Sequence, residues 1–397
     1  MTRTDDQESA MQTSLTERGT PAESVLAAID ALAPTVAARA ADVEAARRLP
    51  PDLLDRLVDA GCFRLLLPAS HGGAGADLAQ ATRATEALAR ADGSVGWTTM
   101  IGSSTWCDLV HLPRATFDEV FADPDTIVAG VISPSGTAAR DGDGYRVEGR
   151  WAFATGAEHA AWIGVNCIEG AGPDGPRMRF AVLPPGQVVI EDTWRVCGLR
   201  GTGSQHVRID GAVVGAESTF DLLAARPCLD EPLTRIPAPT LVPLRIAAVA
   251  VGIAAGALDD ITALAAGKVP LLAAGPLATS PTYHHELATA DAELRAARAL
   301  LAEAVGSTWE SAVAGTPLGL PARARVRSDA AWVTARAAQV VERAYRAGGG
   351  TALYDDCPLQ RRLRDIHALG QHFLVRTDVM AAAGSVLAGL DPPGPLF

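Results

Sequence analysis

Closely spaced cysteines are missing from this sequence of 397 residues. Its six cysteines are scattered, and no CxxC or Cys/His spacing typical of a metal site occurs. This pattern predicts no zinc site and favours reduced thiols, as in cytosolic proteins. The N-terminus is polar and has no basic-then-apolar signal layout, and no uninterrupted apolar run is long enough to span a membrane. We therefore expect a cytoplasmic protein without a membrane partner.

The sequence also has fewer positively than negatively charged residues. Lys and Arg number 34 against 46 Asp and Glu, which gives a formal net charge of −12. No Lys/Arg-rich run offsets this balance, so we expect no nucleic-acid partner, because a phosphate backbone would be repelled. Nucleotide-binding motifs are missing as well. No GxGxxG follows a predicted strand to open a helix, and no P-loop occurs.

The hydrophobic periodicity divides the chain into three parts that follow a short tail at 1–20, which is predicted to be disordered. Apolar residues recur at helical spacing over 21–125, which predicts an N-terminal α-helical domain. Short alternating runs separated by turn signals over 126–237 predict a small antiparallel β-domain. Residues 238–397 read as four long helices with short connections, which predicts a C-terminal four-helix bundle. The fold class is thus α+β, mostly α.

The C-terminal part holds the most informative residues. A glycine run precedes a helix predicted over 358–387, and glycines in such a place either bring the backbone close to a ligand or end a helix. The predicted helix carries Arg364 and Asp365, which we interpret as an ion pair inside the bundle or a contact to a cofactor phosphate. His372 follows them, as a satisfied histidine on a helix face or as an acid/base.

Five segments in this order resemble signature motifs of the acyl-CoA dehydrogenase superfamily, and more specifically of its two-component flavin monooxygenases. They are LPASHGGAG at 67–75, DGSVGW at 92–97, GRWAFATG at 149–156, the run from Trp194 to Ser204, and the PLQR…RD…H pattern at 358–372. The resemblance covers nearly the whole chain. It implies an N-terminal helical domain, a central β-domain and a C-terminal bundle that packs with its copies into a homotetramer.

The resemblance also implies an activity. The protein would be the oxygenase component of a two-component system, which uses reduced flavin (FMNH2 or FADH2) and O2 through a C4a-hydroperoxyflavin. It would hydroxylate an aromatic ring or oxidise an amine of a small-molecule substrate, in secondary metabolism. A separate NAD(P)H:flavin reductase would supply the reduced flavin.

Several cofactor-binding residues follow from the resemblance. The hydroxyl and backbone amide of Thr155 would lie near the flavin N5, and Trp97 and Phe153 would wall the flavin ring. Ser133 and Ser135 would lie along the flavin edge, on a strand-end loop over 132–136. Gly348, Gly349 and Gly350 would contact the flavin of a neighbouring subunit. Without a flavin, the same residues would be a strand-end threonine bonding its own backbone, core aromatics and a helix-ending loop.

The substrate-binding and catalytic residues implied are His372, Ser104 and Trp106. His372 would deprotonate a substrate hydroxyl or amine, or assist protonation of flavin-bound oxygen. Phenol-hydroxylating members often carry a His where this chain has Ser104. A larger or more polar substrate than a simple phenol is therefore expected.

Two rival interpretations stay open from the sequence. In the first, the enzyme is a flavin dehydrogenase or oxidase in which Asp356 removes a substrate proton. Asp356 would otherwise be a solvated acid in the loop before the Pro358 helix. In the second, the protein is a helical scaffold that keeps the fold without a flavin. The loop at 132–136 departs from the dehydrogenase pattern, which tells against a standard acyl-CoA dehydrogenase.

Overall fold

The computed structural model describes residues 20–172, 175–222 and 224–391. Nearly all of the tail predicted to be disordered, 1–20, lies outside these residues. Within them, a group of helices is followed by a sheet and then by a second group of helices. This order confirms the predicted fold class.

Local capping sets where the N-terminal helices begin. Thr20 and Glu23 form a capping box at the first helix, with hydrogen bonds of 2.7 and 3.2 Å. Asp77 and Gln80 form another at the fourth helix. The helices are α1 (Pro21–Ala38), α2 (Ala40–Ala46), α3 (Pro51–Asp59), α4 (Leu78–Ala91), α5 (Gly93–Ser104), α6 (Trp106–Leu109) and α7 (Arg114–Val120).

The central part is one seven-stranded sheet with the strand order β5-β6-β2-β1-β3-β4-β7. Asp141 pairs with Gly144 across a two-residue turn, so β1 and β2 form a hairpin. The strands are β1 (Val128–Asp141), β2 (Gly144–Ala154), β3 (Trp162–Gly172), β4 (Gly175–Leu183), β5 (Val189–Glu191), β6 (Gln205–Gly215) and β7 (Thr219–Asp221).

The sheet is mixed, so the prediction of an antiparallel β-domain needs one correction. β1 and β3 run parallel, while the other strand pairs are antiparallel. The physical reason is the connection through residues 155–161, which crosses to the free side of β1 and enters β3 in the direction of β1. Alternation of apolar residues shows a strand's two faces but does not give the direction of its neighbour.

The C-terminal helices are α8 (Ala238–Gly267), α9 (Pro281–Val313), α10 (Leu320–Gly348), α11 (Pro358–Leu369) and α12 (Asp378–Leu387). The predicted fourth long helix is therefore two helices. Gly370 ends α11, and the break that follows turns Leu374 and Val375 into the core, where they are 6% and 4% exposed. Burial of these two apolar side chains offsets the lost helical turns. The break matters for the site because it contains His372.

Helix α8 lies at the centre of the molecule and packs against α4, α10 and α11. Among the described residues, it is the one single helix that is long and apolar enough to cross a membrane, and 89% of its most apolar stretch is buried inside the fold. Its length and apolar character are thus explained by its place in the core. The sequence had predicted no such run, because Arg245 and the Asp259–Asp260 pair interrupt it.

Candidate active site

A chain of hydrogen bonds runs through four buried polar side chains where α5, β2 and the loop before β6 meet. The indole Nε1–H of Trp97 donates to Thr155 Oγ1 at 3.2 Å. Thr155 Oγ1 lies 2.8 Å from Ser204 Oγ, which lies 2.8 Å from Thr202 Oγ1. Thr202 in turn donates to the Leu199 carbonyl at 2.9 Å. All four side chains are at most 8% exposed, so the hydrogen-bonded chain is shielded from water. We call these four residues the polar spine.

Counting protons gives this chain a direction. Each hydroxyl has one proton, and the proton of Thr202 is used on the Leu199 carbonyl. Ser204 must therefore donate to Thr202, and Thr155 must donate to Ser204. With every bond made, the Thr155 hydroxyl has no free proton but keeps a lone pair. It can accept one further hydrogen bond from a ligand.

Phe153 lies two residues before Thr155 and points away from the core. In a regular strand, Phe153 would share a face with Trp151, two residues earlier, but Trp151 is 0% exposed and Phe153 is 66% exposed. The difference comes from a β-bulge between Trp151 and Ala154, at which Phe153 adopts a φ of 70°. A left-handed aromatic residue is strained, and such strain clusters at ligand sites. Phe153 thus offers an open ring face beside Thr155, edge-on to Trp194 at 6.1 Å.

The loop that carries Thr202 and Ser204 is fixed from two sides. Its Leu199 N–H donates to Asp365 Oδ1 on α11 at 2.6 Å, and its Gly201 N–H donates to Ser94 Oγ on α5 at 3.2 Å. A Cβ on Gly198 would lie 2.1 Å from the Arg364 carbonyl, so only glycine fits there. The sequence motif at 194–204 was noticed, but the roles of its two hydroxyls were missed. The hydroxyl-rich GTGS ending was the available signal.

Arg364 and Asp365 do not pair with each other, contrary to one sequence interpretation. Arg364 bonds Glu44 on α2 and the Cys197 carbonyl. Asp365 is 3% exposed and faces the similarly buried Asp92, the N-cap of α5. Burial, followed by the nearby charge of Asp92, raises the pKa of Asp365 to about 7. Burial likewise raises the pKa of Asp92.

His372 lies in the break between α11 and α12, with its ring centroid 5.7 Å from that of Trp97. Its Nδ1 accepts the Leu374 N–H at 3.3 Å, and burial lowers its pKa to about 4. The ring is therefore neutral near pH 7, and its single proton is on Nε2. This arrangement suits a hydrogen-bond donor to the site, whereas the sequence had suggested a base as one of its two roles.

Ser104 and Trp106 lie at the junction of α5 and α6. Ser104 is half-buried, and its hydroxyl donates to the Met100 carbonyl at 2.7 Å. Trp106 is 2% exposed, and its Nε1–H has no partner among the described residues. Seven residues separate Trp97 from Ser104, which places them on one face of α5, two turns apart. Ser104 thus lies on the same face of α5 as Trp97.

Three other predicted site residues, Ser133, Ser135 and Asp356, are exposed in the structure. Ser133 and Ser135 are exposed and share a 3.2 Å hydrogen bond. They lie within β1, where its pairing with β3 shifts, rather than in a strand-end loop. Asp356 is exposed in the loop before α11. Since the twelve residues of α11 span about 18 Å, this helix separates Asp356 from His372.

Packing and backbone conformation within this chain explain two of the three glycines at 348–350. A Cβ on Gly348 would lie 2.8 Å from Leu359, and Gly349 adopts a left-handed φ of 51° that ends α10. Lys268 Nζ donates to the Gly348 carbonyl at 2.5 Å. No atom of the described residues lies within 4 Å of a Cβ placed on Gly350. A contact of the run with a flavin of another subunit stays a prediction.

Trp97, Phe153 and Thr155 together, here called the Trp97–Thr155 cluster, have the chemistry that a flavin ring requires. It offers an exposed aromatic face at Phe153, an indole edge at Trp97 and a hydroxyl lone pair at Thr155. A flat tricyclic ring needs apolar walls and one polar contact at N5. No group of His, Cys, Asp or Glu suited to a metal occurs among residues 20–172, 175–222 and 224–391. The residues present therefore fit a flavin.

Comparison with known proteins agrees with this assignment. Residues 23–112 match the family model of the acyl-CoA dehydrogenase N-terminal domain, and residues 244–377 match that of the C-terminal domain. The chain is 33% identical to an indole-3-acetate monooxygenase of Pseudomonas putida over 90% of this chain and 92% of that protein. It is 30% identical to the FADH2-dependent resorcinol hydroxylase oxygenase component of a Rhizobium species, over 89% and 91%.

A solved structure shows the same architecture. The crystal structure of the HsaA monooxygenase from M. tuberculosis superposes with a TM-score of 0.87, at 30% identity, over 95% of this chain and all of that chain. The chain therefore belongs to the acyl-CoA dehydrogenase superfamily. Within it, the chain is a flavin-dependent monooxygenase, an enzyme that uses reduced flavin and O2. Oxygenase components of this kind depend on a separate protein for their reduced flavin.

Proposed function

We propose that the protein hydroxylates an aromatic small molecule, with its reduced flavin held against Trp97, Phe153 and Thr155. The flavin, when bound, activates O2 for transfer to the substrate. The observation that carries the proposal is the directed chain from Trp97 through Thr155 to Ser204. This chain orients the Thr155 hydroxyl, which would contact the flavin N5 in a place from which water is largely excluded.

Thr155 matches the reduced form of the cofactor in particular. The reduced flavin carries a hydrogen on N5, whereas N5 of the oxidised flavin is an acceptor. Because the Thr155 proton is used on Ser204, the free lone pair of Thr155 suits the N5–H donor. Thr155 would thus favour binding of reduced flavin over oxidised flavin.

His372, whose ring centroid lies 5.7 Å from that of Trp97, would supply a second hydrogen bond. Its Nε2–H would donate to an oxygen of the substrate or of the reacting group, since Nδ1 is used by the Leu374 amide. A base at this position would need the other tautomer. The rival dehydrogenase function gains no support from this arrangement, because Asp356 is exposed at the opposite end of α11.

The partners in this proposal are a separate NAD(P)H:flavin reductase and an aromatic substrate. The named relatives act on indole-3-acetate and resorcinol, both aromatic. Assembly into a homotetramer and a cytoplasmic location complete the proposal. Gel filtration with light scattering measures the first of these directly.

The decisive experiment follows the reaction of the reduced holoprotein with oxygen. The protein is reduced anaerobically with FMN or FAD, mixed with O2 in the absence of substrate, and followed by absorbance. We expect a long-lived near-ultraviolet band before the spectrum of oxidised flavin returns. Immediate return of oxidised flavin with either cofactor would contradict the proposal and favour an oxidase.

Replacing Ser204 by Ala tests the polar spine. The change leaves the Thr155 proton and a Thr202 lone pair without partners in the core, which costs about 1–3 kcal/mol of unfolding free energy. Urea unfolding measures this loss. Ser307→Ala, at an exposed position on α9, is the matched control and should change stability by less than about 0.5 kcal/mol. Equal effects of the two changes would argue against a connected spine.

The pH dependence of product formation tests the state of His372. Because burial lowers its pKa to about 4, the ring stays neutral from pH 5.5 to 8.5, and the rate should show no ionisation near pH 6.5 from this residue. His372→Gln keeps an N–H donor, and His372→Leu removes it. We expect Leu to reduce product formation about 100-fold and Gln much less. A wild-type ionisation near pH 6.5 that both variants abolish would instead identify His372 as a base.

A further inference from the structure

One face of the helical segment 97–111 is accessible, and Trp97 begins it. Half-buried side chains recur along this face at spacings of three and four residues, which keep to one side of an α-helix. They are Ile101, Ser104, Asp108 and His111. Apart from Cys107, the other side chains of the segment are buried. We call the four half-buried residues the accessible stripe.

The accessible stripe continues across the junction of α5 and α6. Thr105, the single residue between the two helices, has right-handed helical dihedrals (φ −62°, ψ −27°). Its hydroxyl donates to the Ile101 carbonyl at 3.0 Å, and its carbonyl accepts the Leu109 N–H at 3.2 Å. Asp108 follows Trp97 by eleven residues, which is three turns and about 20° more. Asp108 therefore lies on the face of the helix that Trp97 begins.

Asp108 carries a carboxyl group without a counter-charge. Within the described parts of the chain, the carboxyl has neither an ion pair nor a hydrogen bond. Burial alone raises its pKa to about 7, with no contribution from a charged neighbour. The ring of His111 does not compensate, because its Nδ1–H donates to the backbone carbonyl of Asp108 at 3.0 Å. Since Asp108 is only half-buried, a small group of a ligand can still reach the carboxyl.

The residues between Trp97 and Asp108 provide room for an aromatic ring. Ile101 offers an apolar surface one turn after Trp97, against which the proposed function places the flavin. Ser104 offers oxygen lone pairs, because its proton is used on the Met100 carbonyl. Asp108 follows Ser104 by one turn, roughly 6 Å along the helix axis. A two-carbon side chain places an amine at a similar distance from the ring that carries it.

We propose that Asp108 binds the ammonium group of an arylalkylamine and thereby selects a basic aromatic substrate. The inference rests on the proposed function and names the substrate class of the same site. The ammonium group would donate to a carboxylate oxygen and supply the missing counter-charge. The amine would anchor the substrate, and the ring beside Ile101 and Ser104 would be the part that is hydroxylated. An aromatic acid would be repelled, which would set this chain apart from the relative that acts on indole-3-acetate.

Binding measurements with paired ligands test the inference without any turnover. Tyramine is compared with tyrosol, and tryptamine with tryptophol, by titration calorimetry on the flavin-loaded protein. Each pair has the same ring and chain and differs only in an amine or a hydroxyl at the end. At pH 8, where the Asp108 carboxyl is ionised and the amines keep their protons, we expect the amine of at least one pair to bind about ten-fold or more tightly. Asp108→Asn keeps the shape of the side chain and should abolish this preference, while binding of the alcohol stays the same.

Asp329→Asn is the matched control, since Asp329 on α10 is also half-buried and burial also raises its pKa. It should leave the preference for the amine intact. Equal affinity or no binding for both members of every pair would overturn the inference. So would an equal loss of amine and alcohol binding in Asp108→Asn, or an equal loss of the preference in both variants. Because oxygen reactivity without substrate tests the proposed function separately, the two can fail independently.

Discussion

Replacing Thr155 by Val is expected to shorten the lifetime of the near-ultraviolet band formed from reduced flavin and O2 by about ten-fold. Val has nearly the shape of Thr but removes the oxygen that accepts from Trp97 and donates to Ser204. It also removes the lone pair available to the flavin N5–H. Loss of one such bond in a site without water costs about 1–3 kcal/mol, which is roughly a 5- to 150-fold change in rate. Reduced flavin would then be oxidised with release of hydrogen peroxide in place of hydroxylation.

Stopped-flow absorbance and a peroxide assay measure both consequences. Thr155→Ser retains the hydroxyl and is the control, with an expected lifetime within about two-fold of wild type. Binding of oxidised flavin should change less than binding of reduced flavin, because only reduced flavin has the N5–H. A Val variant that keeps the wild-type lifetime would remove Thr155 from the site's chemistry.

The sequence was sufficient for the helical parts of this fold because the determining interactions are local. The helix Leu78–Ala91, for example, begins after its capping residue Asp77 and lies within the segment 21–125 that the helical periodicity predicted. The parallel pairing of β1 with β3 and the break after Gly370 were not predictable in this way. Both depend on tertiary contacts, namely the free edge of β1 and the burial of Leu374. Periodicity within one segment does not contain that information.

The site residues divide in the same way, into those that a local motif identifies and those that only tertiary contacts identify. The motifs identified Trp97 and Thr155, and the structure joins them with a hydrogen bond. Their support comes from residues distant in sequence, such as Ser204 and Asp365, so spacing alone could not connect them.

Exchanging Asp365 for Asn should make the protein's stability less dependent on pH. The fold raises the pKa of Asp365 to about 7, above the value of about 3.9 in an unfolded chain. The folded state therefore holds this proton more tightly. The stability associated with it is present below about pH 4 and is lost as the pH rises towards 7. Because the pKa of Asp92 is also raised, its contribution has the same sign.

Asn is a suitable replacement because its Oδ1 can still accept the Leu199 N–H, while the charge facing Asp92 is gone. The other charges nearby are accounted for. Arg361 lies 3.9 Å from Asp92, Arg362 pairs with Asp260, and Glu44 pairs with Arg364. Between pH 5.5 and 8.5, wild type should lose more unfolding free energy than Asp365→Asn, by an amount on the order of a few kcal/mol. Chemical unfolding at several pH values measures the difference.

The same variant shows whether the carboxyl pair positions the site. Asp365 holds the Leu199 N–H, and the Leu199 carbonyl ends the chain that begins at Trp97 and Thr155. If ionisation of the pair loosens this loop, the affinity of wild type for reduced flavin should fall above pH 7, and that of Asp365→Asn should not. Asp329→Asn on α10, where burial also raises the carboxyl pKa, should leave the pH dependence of flavin affinity unchanged. Identical flavin affinity profiles for wild type and Asp365→Asn would limit the pair to a structural role, since a merely structural carboxyl would alter unfolding without altering the cofactor.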